Sequence, residues 1–101
     1  MRHSDEQMRG RSIIAADGFV IGEISALFVD TSTWRIESIQ ATLRKETADS
    51  LGAHRSIFQA GTLEIPIHLV QSVGTTVVLT VPLDGLRAVM PNEQAKSPAH
   101  N

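Results

Sequence analysis

The feature that most constrains this sequence is its punctuation. Short β-branched and aliphatic runs recur at close intervals, each ended by Gly, Pro, Asp or a Ser/Thr turn. A chain of this kind builds short strands joined by tight turns, and so a small sandwich or barrel. The first run, 12–15, leads into Ala16-Asp17-Gly18, where Gly18 supplies the positive φ that a hairpin turn requires. The second run, 19–30, changes parity, with Ile24 on one side and Leu27 and Val29 on the other. An uninterrupted strand would expose half of them, so a bulge or bend is expected near Ser25 or Ala26, with Gly22 at the same corner.

After a turn at 30–33, the run 35–43 alternates cleanly. Ile39, Ala41 and Leu43 share one face, and Ser38, Gln40 and Thr42 the other. Residues 45–51 are good helix formers with Ala48 and Leu51 at i,i+3, and Gly52 stands where a terminating glycine would, predicting a two-turn helix. Ile57 and Phe58 form a brief apolar stretch. Pro66 cannot donate to a ladder, so 63–66 is expected at a strand end or sheet edge. A further apolar run covers 67–73, and 76–81 is a strand with Val77, Leu79 and Val81 inward. Beyond Pro82, the residues Leu83, Leu86, Val89 and Met90 recur at helical spacing, predicting a short amphipathic helix across a barrel mouth, stopped by Pro91. The expected fold is therefore mainly β, a small bent antiparallel barrel with one or two short helices.

At 101 residues the chain has room for one core. The expected boundaries are a flexible arm over 1–8, a barrel domain over 9–90 and a disordered tail over 91–101, where little can be buried. Residues 1–11 are charge-rich with no apolar stretch behind them, so no secretory signal is read and the mature chain is expected to start here. No apolar run approaches the roughly 18 residues of a spanning helix. Without cysteine there is no disulfide framework or thiol nucleophile, which fits a reducing compartment, and a cytoplasmic protein is expected. A net charge of −2 argues against a general phosphate-backbone binder.

Taken in order, Gly10-Arg11, Ala16-Asp17-Gly18, Ile21-Gly22, Val29-Asp30, Trp34-Arg35-Ile36, Ile65-Pro66 and Ser72-Val73-Gly74 resemble the PRC-barrel domain. That family is named for the photosynthetic reaction-centre H subunit and includes part of the ribosome-maturation factor. The resemblance covers roughly residues 8–90, and 45–52 with Pro82-Leu83-Asp84-Gly85-Leu86 looks most like the stand-alone, single-barrel members. It implies a strongly bent antiparallel barrel that serves as an adaptor between proteins and carries no active site.

The candidate chemistry is sparse. His3, His54, His68 and His100 fit no ligand spacing and read as surface histidines, so no metal is expected. No G-x-S-x-G or phosphate-binding loop is present, and no catalytic residue or cofactor is expected. Asp17 and Asp30, both at hairpin ends, are read as turn caps rather than a catalytic dyad. A barrel this small is expected to be filled by its own Val, Ile and Leu side chains, leaving no room for a ligand. Trp34, the only Trp, either lids one end of the barrel or anchors a partner, and the lid is the preferred reading. The stripe Leu83, Leu86, Val89 and Met90, with Val78, would be exposed on a monomer and covered in a homodimer. The expected function is a non-enzymatic, homodimeric adaptor that binds a protein partner through a sheet edge or the Trp34 end. The alternative is an RNA- or ribosome-assembly-associated module using a basic rim of Arg44, Lys45 and Arg55, which Glu46 and Asp49 interrupt.

Overall fold

The computed structural model describes residues 2–51 and 61–89. Its elements in chain order are helix α1 (Asp5–Met8), strands β1 (Ser12–Ile14), β2 (Val20–Asp30) and β3 (Arg35–Leu43), helix α2 (Lys45–Leu51) and strand β4 (Thr62–Pro66). A 3-10 turn, Ile67–Leu69, then leads to β5 (Val70–Val73) and β6 (Thr76–Leu79), and a second 3-10 segment spans Leu83–Val89. The strands form one six-stranded sheet in the order β4-β3-β2-β1-β6-β5.

Two strands that are consecutive in the chain thus lie at opposite edges of the sheet. Laid flat, the sheet would hold β4 and β5 about 24 Å apart, whereas three residues of 3-10 geometry rise only about 6 Å. The sheet must curl until its edges approach. Residues 62–73 then serve both edges, the first part pairing with β3 and the last part with β6. No β4–β5 ladder closes the gap between them, so the hydrogen-bonded sheet stays open along a seam.

The expectation of a wholly antiparallel barrel is corrected at two points, the open seam and one parallel pair, β1 with β6. The parity of the strands explains the second. With 62–73 counted as one run that does not reverse, five runs follow one another round the curl, and an odd ring cannot alternate direction throughout. Four pairs are antiparallel, so the fifth is parallel.

Curling lets a single sheet bury its own apolar face. Ile13, Ile21, Ile39, Ile65, Val77 and Leu79 meet in one core, capped by Met8 from α1 and Leu51 from α2. The predicted parity of β3 holds for Ile39, Ala41 and Leu43, all buried. The predicted bend in β2 is a register shift between Ile24 and Ala26, where the Ser25 hydroxyl donates to the Gln40 carbonyl at 3.2 Å. The Asp17-Gly18 turn has Gly18 at φ 92°, with its N–H donating to Ala15 O. Helix α2 has the predicted bounds, and its Thr47 hydroxyl donates to Val20 O at 2.9 Å.

The run expected over 67–73 divides into a 3-10 turn and a four-residue strand, because Pro66 ends the ladder with β3 before the chain reaches β6. The last strand ends at Leu79 rather than 81. Where an arm was expected over 1–8, Ser4 and Gln7 form a reciprocal capping box and Met8 is buried. The final helix is 3-10 rather than α, and its period of three puts Leu83 and Leu86 on one face. Those two are 8% and 0% exposed, taken up by the chain's own core, so they offer no surface to a second copy. The segment is fastened there by the Leu83 N–H, which donates to the Asp17 carboxylate, and by Arg87, which donates to Ser50 O at 2.6 Å. Arg55, Met90 and the expected tail over 91–101 lie outside the described residues, as does the side chain of Val89.

Two substitutions test this packing. A Cβ at Gly22 would run into the Thr42 carbonyl group, so Gly22→Ala is expected to destabilise the fold by about 1–3 kcal/mol, read from denaturant midpoints. Leu86→Ala, which removes a fully buried side chain, is expected to cost about 2–5 kcal/mol by the same measurement.

Candidate functional site: an apolar groove along the seam

Where the edges of the sheet part, the core opens into a groove of about 410 Å³. Its floor is buried core, Met8, Ile24, Ile39 and Val77, and its walls are Leu27 and Ile36 on one side and Ile67, Val70 and Val73 on the other. His3 is the one polar residue in the lining. The groove lies at the surface, over core side chains that are each no more than 9% exposed. β4 leaves β3 at the Ser38–Pro66 pair, so nothing among the described residues pairs with the outer edge of β3 before Ser38. β5 likewise pairs only with β6.

The bordering hairpin adds to this surface. Val29 pairs with Ile36 of the groove wall, and the two strands reach the turn that carries Trp34. Val29, Ile36, Ile67 and Val73 are each 37–43% exposed, and Trp34 is 78% exposed. Trp34 therefore does not lid the core, because the β2–β3 hairpin holds it at the tip and away from the interior. Phe28 lies on the opposite face of the hairpin, and Phe19 beside the β1–β2 turn.

The turn is held by Asp30. Its carboxylate accepts from the Ser32 N–H at 2.9 Å and the Ser32 hydroxyl at 2.7 Å, and its carbonyl accepts from the Trp34 N–H at 2.6 Å. The Ser32 hydroxyl bond, then the Ser32 N–H bond, lower the Asp30 pKa below its ordinary value, since both favour the charged form. Trp34 adopts φ 58°, a left-handed conformation that a bulky side chain enters at a cost on the order of 1 kcal/mol. Asp30 caps its own turn, as the sequence indicated, whereas Asp17 accepts not from its own turn but from the Leu83 N–H.

Arg44 and Lys45 of the expected basic rim do not line this groove. Arg44 and Lys45 are exposed at the start of α2, next to Glu46 and near Val20 and Phe19. His68 sits in the Ile67–Leu69 turn, and His54 and His100 lie outside the described residues. Among the described residues, no three His, Asp or Glu side chains gather as a metal site, and no helix is long and apolar enough to cross a membrane. The sequence reading singled out Trp34 but missed Ile36, Ile67 and Val73. Their exposure depends on the seam, which no local pattern encodes. No family model matches the chain, and a search of the curated proteins also finds no match.

The turn makes a pH-dependent prediction. Because the folded Asp30 pKa is lowered, its stabilising contribution is complete above the ordinary carboxylate range and is lost as pH falls through the lowered folded value. Acidification is expected to lower the protection factors of the Ser32 and Trp34 amides, relative to their intrinsic exchange rates at each pH, while the core remains protected. Asp30→Ala should show the lowered protection already at neutral pH, measured by NMR.

Proposed function

We propose that the chain is a non-enzymatic protein-docking module built on a small barrel of the PRC type, and that it docks through the seam. The observation that carries this reading is one apolar groove lined by the exposed Ile36, Ile67 and Val73, bordered by the hairpin that carries Val29 and the exposed Trp34. Exposed apolar side chains gathered in this way are uncommon on a soluble protein's surface and mark an interaction site more often than not. An indole held outward by a strained turn supports the same reading, because Trp is over-represented among residues that dominate binding energy.

Photo-crosslinking in the host tests the proposal. A crosslinking residue at position 36 or 73 is expected to form discrete protein adducts, and the same group at Glu46, on the exposed face of α2, is not. Equal adduct patterns at all three positions would remove the seam as the docking surface.

A further inference from the structure

We infer that the occupant of the seam is a second copy of this chain, paired about a two-fold axis near Ile36, with the partner's Trp34 laid against Ile67. This rests on the docking reading and names its partner.

Three observations converge on it. The first is area. A standard interface buries about 800 Å² per partner, and in homodimers about 65% of that is apolar, or roughly 520 Å². The exposed Ile36, Ile67 and Val73, the half-buried Leu27 and Val70 on the groove walls, and Val29 and Trp34 of the bordering hairpin are the apolar side chains available to contribute it.

The second is the layout of the patch. A two-fold contact brings one end of a patch against the opposite end of its twin. Here the ends differ and complement each other, with a projecting indole at the turn and an apolar recess beside Ile67.

The third is charge. Arg35 and Glu37 flank Ile36 on the part of β3 whose outer edge has no ladder partner, and both are exposed. Neither forms an ion pair with another described residue. A two-fold axis near Ile36 sets two antiparallel β3 segments side by side, so that Arg35 faces the partner's Glu37 twice over. The same axis brings the partner's Trp34, which leaves the strand direction at φ 58°, up to the point where Pro66 takes over the β3 edge, and so beside Ile67. One symmetry operation satisfies the apolar and the charged requirements together.

The experiment uses the full chain and its single Trp, which makes fluorescence a report on position 34 alone. Light scattering at concentrations up to about 100 μM should give a dimer mass, and the Trp emission should shift to the blue as the dimer forms. Arg35→Glu and Glu37→Arg are each expected to weaken the dimer about tenfold or more. The double variant R35E/E37R should restore it, since each like-charge contact becomes an opposite pair again. Circular dichroism on the monomeric variants confirms that they remain folded.

A monomer throughout the range overturns the inference. So does a dimer whose Trp emission stays solvent-like, or a double variant that is not restored. If the chain is monomeric and positions 36 and 73 crosslink only to other proteins, the docking reading stands and the second copy falls. If those positions crosslink to nothing, both fall.

Discussion

One covalent constraint organises this molecule. Residues 62–73 pair with β3 at their start and with β6 at their end, with only Ile67–Leu69 between. A flat sheet cannot accommodate so short a connection, so the sheet has to wrap around its own apolar face. Burial follows from that geometry, because side chains from β1, β3, β4 and β6 converge on a common interior without a second layer. The parallel β1–β6 pair follows from it as well, since five runs round a curl cannot all oppose their neighbours.

The same constraint leaves the molecule incomplete along one line. Pro66 ends the first ladder and the second begins at Val70, so the wrapping strand changes partners without bridging the two. Core residues that a sealed sheet would hide become the floor of a groove, and Ile36, Ile67 and Val73 become its border. The opposite side is sealed differently. There the 3-10 segment Leu83–Val89 brings Leu83 and Leu86 into the core, while Asp17 and Ser50 receive its N–H groups. An exposed apolar surface thus lies on the seam side, where no described element covers the interior.

Much of the local structure was legible because it is written in neighbouring residues. The parity change between Ile24 and Leu27 required a bulge, and the register shift falls at Ser25. Gly18 required a positive φ and has one, and the helix over 45–51 has the bounds its side chains suggested. The candidate site was only partly legible. Trp34 could be recognised as unusual, but whether an indole at a hairpin tip points inward or outward depends on where the hairpin lies relative to the core. Leu83 and Leu86 show the converse, since an apolar stripe reads identically whether it meets another chain or its own.

By itself, then, the sequence determined the strands, the turns, the bulge and the inward parity of β3, all of which arise from dihedral preference and the two-residue period of a strand. The tertiary structure alone decided which strands became neighbours, that the first and last run parallel, and that a seam lies open beside Ile36. The physical reason is one of range. Side-chain sterics and turn chemistry act over a few residues, whereas strand adjacency emerges from burying all the apolar faces at once within the reach of short connections.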